Sequence, residues 1–464
     1  MEKKKLEKII GMLEPNEFSI DQKTIQNYCT DWRGIYKGKS DLIIFPQNVI
    51  KISKVLKFCQ KNKISIVPQG GNTGLVGGSI PRNNKSEVII NLSNLNKIRK
   101  LDLISNRIIV ESGCILDNIK NKLLKHELEF PLSMGSRGNC QIGGNISTNA
   151  GGVNVIKYGT IRQNILGIEV VLPDGTIYSS LKNVKKNNTG IDLKHLFIGA
   201  EGILGIITAA LIQVYPLPKE KIVIWSSFKN FKEVLHFYVF ITKKFNNLIT
   251  SFEFMNKESI EILEKNEIKL DNLKRNKCYC LVEISNFQSI NDFNEFVTSK
   301  ITANEIITDD LIISKSENEN KKLWSYRELI PLAERKEDFI VAHDVSIPLK
   351  NIESFVSETS KNIKKFIKSS KIINFGHLGD NNLHFNILIS NYNQKEKKMI
   401  KNKINRIVFD HVNEFDGSIS AEHGIGQLRK KELQLHKKIN ELKKMKSIKN
   451  LFDPNNILNA GKVI

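Results

Sequence analysis

Pro68-Gln69-Gly70-Gly71-Asn72-Thr73-Gly74-Leu75-Val76-Gly77-Gly78-Ser79 is the stretch on which the reading of this chain turns. It follows Ile64-Ser65-Ile66-Val67, a β-branched run that reads as a strand. Five glycines fall within nine residues. Glycine permits positive φ and lets backbone N–H groups come close to a ligand. Successive N–H groups in such a loop make a nest for an anion such as a pyrophosphate. A bare surface turn would not need so many glycines. The candidate ligand contacts are Pro68, Gly70, Gly71, Asn72, Thr73, Gly74, Gly77, Gly78 and Ser79.

Two further blocks share this character. Gly135-Ser136-Arg137-Gly138-Asn139-Cys140-Gln141-Ile142-Gly143-Gly144-Asn145-Ile146-Ser147-Thr148-Asn149-Ala150-Gly151-Gly152 mixes glycines with small hydroxyl and amide residues. That composition suits a loop wrapping a large polar cofactor. Its candidate contacts are Gly135, Ser136, Gly138, Gly143, Gly144, Ser147, Thr148, Asn149, Gly151 and Gly152. The third block, Gly199 to Thr208, offers Glu201, Gly202, Gly205 and Ile206 and opens a long buried strand. None of the three is a GxGxxG opening a βαβ unit, so a Rossmann site is not supported. Gly38-Lys39-Ser40 falls one residue short of a P-loop.

Around these blocks short apolar runs alternate with amphipathic segments. Strands are expected at 42–45, 64–67, 88–90 and 108–110, and a helix over 48–62. Pro173-Asp174-Gly175 marks a hairpin. Beyond Pro216-Leu217-Pro218, strands near 221–227, 251–255 and 279–285 alternate with Lys-rich helices such as 230–247. Glycine almost disappears until Gly376. The expected domains are therefore 1–217, 218–420 and a motif-rich tail, 421–464.

The three blocks, in this order and spacing, closely resemble the flavin domain of the FAD-linked oxidase family (FAD-binding oxidase/transferase type 4), in its D-2-hydroxyglutarate and D-lactate dehydrogenase branch. Ser251-Phe252-Glu253-Phe254-Met255 is similar as well. The resemblance implies an α+β fold of the vanillyl-alcohol-oxidase/PCMH type. That fold has a two-subdomain FAD-binding domain, an antiparallel-sheet substrate (cap) domain, and a C-terminal segment returning to the active site. The first loop contains no His or Cys, so FAD is expected to bind without a covalent link.

Phe375-Gly376-His377-Leu378-Gly379-Asp380-Asn381-Asn382-Leu383-His384-Phe385-Asn386 carries the strongest chemical signal. Gly379-Asp380-Asn381 turns the chain between two histidines, and the second begins an alternating strand. Ser420-Ala421-Glu422-His423-Gly424-Ile425-Gly426 follows later. Two histidines and a carboxylate suit a three-ligand metal site with an open position, as catalytic Zn²⁺ requires. Mn²⁺ or Fe²⁺ accepts the same ligands. The resemblance implies His377, His384 and Glu422 as metal ligands and His423 as the base. It also implies that Arg327, in Leu323-Trp324-Ser325-Tyr326-Arg327-Glu328, grips a substrate carboxylate, with Asn386 as a further substrate contact.

The expected reaction is oxidation of a D-2-hydroxy acid to the 2-keto acid, metal-assisted, with a hydride passing to flavin. The hydroxyglutarate branch carries a threonine where this chain has Pro331 and a lysine where it has Ala342, so the grip on a second carboxylate is in question. His343, Lys336 and Arg335 are the possible substitutes. D-2-hydroxyglutarate comes first as substrate, with D-lactate, glycolate or another monocarboxylate close behind. A glycolate-oxidase-type enzyme and a non-catalytic flavin subunit are the alternatives.

Bulk properties fit this reading. With 464 residues, 40% hydrophobic and 26% charged, the chain is globular in composition. The net charge is +21, but the lysines are spread along the whole chain, which argues against nucleic acid. No apolar run is long enough for a transmembrane segment. Six scattered cysteines suggest no disulfide framework. Glu2, Glu7 and Glu14 and the lack of an apolar signal core lead to the expectation of a bacterial cytoplasmic protein, with a peripheral place at the membrane surface also open. A quinone, an electron-transfer flavoprotein or a cytochrome is expected as electron acceptor, and a homodimer is one assembly the reading allows.

Overall fold

The computed structural model describes all residues except 1, 85, 269, 271–272, 286–294, 296–298, 301–307 and 391. The chain forms two compact units. One comprises Met1–Gly151, Gly159–Leu217 and Glu422–Ile464, and the other Gly152–Tyr158 with Pro218–Ala421.

The first unit contains two main sheets. One is four-stranded, in the order Phe18–Ser19, Ile43–Ile44, Val88–Asn91, Ile66–Gln69, and is parallel apart from its first pair. The second is five-stranded and antiparallel, in the order Ile98–Asp102, Arg107–Glu111, Ile206–Gln213, Ile165–Val171, Ile177–Ser179. Ile206–Gln213 lies at the centre of this sheet, with buried side chains on both faces. Its β-branched and small residues suit such a place. The helix Val49–Lys61 is capped by the Asn48 side chain and turns Ile52, Val55, Leu56 and Cys59 inward. Each such buried aliphatic side chain contributes about 1.5–3 kcal/mol. The tail completes this unit: Ile66 N donates to the Ile457 carbonyl at 2.8 Å, and Asn459 N to that of Ile66 at 2.9 Å.

The second unit is built on an eight-stranded antiparallel sheet. Its order is Asp310–Ile313, Lys221–Phe228, Cys278–Ser285, Ile249–Asn256, Lys371–His377, Asn382–Ile389, Phe339–Val341, with Asp344–Ser346 also on Asn382–Ile389. Helices cover both faces, so the strands read as continuous apolar runs. Ile222, Ile224, Phe252, Phe254, Phe385 and Ile387 face the helices Phe231–Phe245, Ile352–Phe366 and Gln394–Glu414. The alternate residues Val223, Trp225, Met255, Phe375 and Leu388 face the helices Lys257–Lys265 and Glu317–Glu328. That second face also carries the chemistry.

One local expectation is corrected. The second glycine block was expected to be a wrapping loop, but Ile142–Ser147 forms a short helix. Gly143 and Gly144 are poor helix formers. Burial of Ile142, Gly143, Asn145 and Ile146 outweighs that weakness. All six cysteines are free and buried.

Candidate active site

In the first unit the glycine blocks come together. A Cβ on Gly71 would lie 2.0 Å from the Asn139 carbonyl oxygen, so only glycine allows this backbone approach. Among the described residues, no backbone N–H from Gly71 through Ser79 donates a hydrogen bond to the protein. Ser112 Oγ, Gln141 Oε1 and Asn145 Oδ1 are buried without partners nearby. Buried polar groups are ordinarily satisfied, so this run of donors and acceptors fits an extended polar ligand. FAD meets that requirement through its pyrophosphate and flavin heteroatoms.

Several forecast contacts brace the cradle itself. Asn72, at φ 53°, donates through Nδ2 to the Thr30 carbonyl, and its Oδ1 accepts from Ser79 Oγ. The Ser147 and Thr148 hydroxyls donate back to the Gly143 and Gly144 carbonyls. Asn149 Oδ1 accepts from Thr160 Oγ1 and Arg162 N. The Ile206 side chain lies in the apolar core, leaving only its backbone for a ligand. Gly151 ends one segment of the first unit, and Gly152 begins the excursion into the second.

Glu201 also differs from expectation. Its carboxylate accepts from Ile425 N at 2.7 Å and Gly426 N at 2.8 Å, clamping the segment after His423. Burial pushes this carboxyl up, against the pull of those two bonds. Lys462 donates to the Gly78 carbonyl and to Asn459 Oδ1, each at 2.9 Å. Burial pushes its ammonium down to about 7. Gln427 Nε2 donates to the Gly77 and Ile80 carbonyls. The tail thus holds the glycine loop in shape, a role that neither segment announces alone.

In the second unit a polar cluster occupies one sheet face. Glu253 pairs directly across from His377, and Phe375 from His384. The His377 and His384 ring centroids are 5.5 Å apart. Glu253, fully buried, bonds His377 Nδ1 at 2.7 Å through Oε1 and accepts from Arg327 Nε at 2.8 Å through Oε2. Burial alone would raise this carboxyl, but His377 and Arg327 hold it below its ordinary range. A carboxylate on Nδ1 fixes the tautomer and leaves Nε2 for a metal, as is usual for histidine ligands. Asp344 Oδ1 lies 3.8 Å from His384 Nδ1. His377 and His384 thus offer two neighbouring imidazoles of the kind a divalent cation takes.

Arg327 is buried, and its guanidinium lies 4.7 Å from the Phe375 ring centroid. Among the described residues its two Nη groups make no hydrogen bond. They offer the planar pair of donors that a carboxylate takes. Asn386, forecast as a substrate contact, is committed instead. Its Nδ2 donates to both oxygens of Glu334, at 2.8 and 3.0 Å, and its Oδ1 accepts from His343 N. His343 is also no substitute grip: its ring bonds the Phe385 carbonyl and Asn405 Oδ1 in the opposite core. Arg335, Lys336 and Ala342 are exposed. Ala421 N donates to the Asp344 carbonyl, and Glu422 and His423 follow directly in the chain.

The sequence reading missed Glu253 as the link between His377 and Arg327, and missed Glu334 entirely. The available signal for Glu253 was an acid inside the apolar strand Ser251–Met255, where both neighbours are Phe.

Comparison with known proteins places these features. Residues 40–180 match the model of an FAD binding domain, and residues 217–463 that of the FAD linked oxidases C-terminal domain. The D-2-hydroxyglutarate–pyruvate transhydrogenase of Saccharomyces cerevisiae is 35% identical, covering 95% of this chain and 90% of that protein. The mitochondrial D-2-hydroxyglutarate dehydrogenase of Arabidopsis thaliana is 34% identical over 96% of this chain and 78% of its own. A Schizosaccharomyces pombe protein, provisionally named a mitochondrial D-lactate dehydrogenase, is 34% identical over 97% of this chain and 86% of its own. The fold matches that of p-cresol methylhydroxylase with a TM-score of 0.77 at 14% identity, covering 98% of this chain and 95% of that one.

These relatives correct the expected bacterial cytoplasmic location, because the plant and fission-yeast proteins are both named mitochondrial. Of the acids used for that expectation, Glu7 lies in the helix Lys3–Ile10 and Glu2 stands at its N-cap position, and Glu2, Glu7 and Glu14 are all exposed. No described helix is long and apolar enough to cross a membrane.

Proposed function

Because the chain belongs to the FAD-linked oxidase family, we propose that it oxidises a D-2-hydroxy acid to the corresponding 2-keto acid. The observation that carries this reading is the Arg327–Glu253–His377 chain beside His384. It sets a carboxylate-binding cation next to candidate metal ligands, and a 2-hydroxy acid bears a carboxylate and a hydroxyl on adjacent carbons. The relatives named for D-2-hydroxyglutarate and D-lactate support the same class.

Each residue has a defined task. The Arg327 Nη groups bind the C1 carboxylate in bidentate fashion and fix C2 in place. Glu253 holds Arg327 and His377 in register with each other. His377, His384 and Glu422 would hold a divalent cation, Zn²⁺ by ligand type. A ring nitrogen of His423 takes the hydroxyl proton. The loop Gly70–Ser79 and the segment Gly143–Asn149 would hold FAD. Bound FAD supplies the hydride acceptor, and the cation supplies Lewis acidity at the hydroxyl oxygen.

Two variants test the assignment. His384→Ala should lose bound metal and keep its FAD, and unchanged metal content would remove His384 as a ligand. His423→Ala should stay folded and yellow with little turnover, and near-normal turnover would remove it as the base.

A further inference from the structure

Charged groups buried on the polar face of the second unit's sheet are unequal in sign. Among the described residues Arg327 is the one buried Lys or Arg there, against Glu253, Glu283, Glu334 and Asp344. Glu253 already pairs with Arg327 at 2.8 Å, and Glu283 pairs with Lys221 Nζ at 3.2 Å while accepting from Trp324 Nε1 at 2.9 Å and Thr250 Oγ1 at 2.8 Å. Glu334 ends the short helix Ile330–Glu334 that follows the Arg327 helix. Both its oxygens accept from Asn386 Nδ2, and Asn386 lies one pleat from His384 on the same face. Among the described residues no cation lies within 4.0 Å of the Glu334 carboxyl, yet it stands within the field of Arg327. With Arg327 taken by the first substrate carboxylate, a second one brought to this face would meet the Glu334 carboxyl, which has no ion-pair partner of its own among the described residues. Like charges repel more strongly in a buried site than in water.

We propose that Glu334 is a specificity-determining residue: it disfavours 2-hydroxy acids with a second carboxylate and directs the site to those with an uncharged tail. The inference rests on the proposed oxidation of D-2-hydroxy acids and narrows its substrate class to neutral-tailed monocarboxylates.

The test is anaerobic flavin reduction by stopped flow at pH 8, with D-lactate and D-2-hydroxyglutarate as probes, on the full chain and on Glu334→Gln. The wild-type chain should favour D-lactate. The variant should shift the ratio of second-order reduction rates toward D-2-hydroxyglutarate by about tenfold, which is about 1.4 kcal/mol of differential binding. A wild-type preference for D-2-hydroxyglutarate, or a ratio unchanged by the substitution, overturns the role of Glu334. Failure of every 2-hydroxy acid to reduce the wild-type flavin overturns the underlying reaction class instead. The unmodified chain gives a second readout that does not depend on the variant's folding. Pyruvate should perturb the flavin spectrum at concentrations at least tenfold below those needed for 2-oxoglutarate, and equal binding of the two contradicts the proposal.

Discussion

Glu253→Gln is the substitution on which the second unit's polar face depends most. The Glu253 carboxylate is fully buried and takes two charge-assisted bonds, 2.7 Å to His377 and 2.8 Å to Arg327, with Ser251 Oγ as a further donor at 3.1 Å. Glutamine has the same shape, but it keeps one acceptor and turns an NH₂ toward a group that already donates. It also leaves the buried Arg327 charge without its counter-ion. Removing one partner of a buried pair costs about 3–5 kcal/mol. At the usual 2–4 °C per kcal/mol for a unit of this size, that is a fall of roughly 6–20 °C in the transition of the second unit. The first unit does not contain this carboxylate, so flavin content should hold. Metal affinity should fall roughly 10–100-fold as His377 loses its Nδ1 partner. Calorimetry, flavin absorbance and metal analysis on one preparation separate these effects. A variant that keeps its melting profile within 1 °C and its metal in full would refute the reasoning.

Other expectations follow from the same geometry. Gly71→Ala puts a Cβ about 2 Å from the Asn139 carbonyl oxygen, so FAD content in the purified protein should fall severely, while full FAD occupancy would mean the backbone yields there. Burial pushes the Glu334 carboxyl up to about 7 from an ordinary 4.5, so between these values the folded chain holds a proton the unfolded chain has released. Stability therefore falls as pH rises through that window. Glu334→Gln should flatten the decline between pH 5 and pH 8, and an identical decline in the variant would assign it to other groups.

The glycine loop was legible because part of its requirement is local: Gly77 takes φ 71°, which favours glycine whatever the rest of the chain does. The turn between His377 and His384 was legible for the same reason, with Asn381 taking φ 70° at its corner. The hairpin at Pro173-Asp174-Gly175 and the strands of the second unit followed from turn chemistry and apolar periodicity. What escaped the sequence depends on distant partners. Arg327 and His377 lie 74 and 124 residues from Glu253, and Asn386 lies 52 from Glu334. No window along the chain contains such pairs. Glu201 looked like a cofactor ligand because it sits among glycines, but its partners, Ile425 and Gly426, are 224 and 225 residues away. The helix Ile142–Ser147 was hidden by two glycines whose weak propensity is overridden by burial. The excursion Gly152–Tyr158 leaves no compositional mark.

Anaerobic titration of the purified flavoprotein with paired D- and L-2-hydroxy acids tests the central claim most directly. Bleaching of the flavin band by at least one D-acid, with its L-enantiomer inert, is the predicted result. A flavin that stays oxidised with every member of the panel would contradict the assigned reaction and leave the fold with a different substrate.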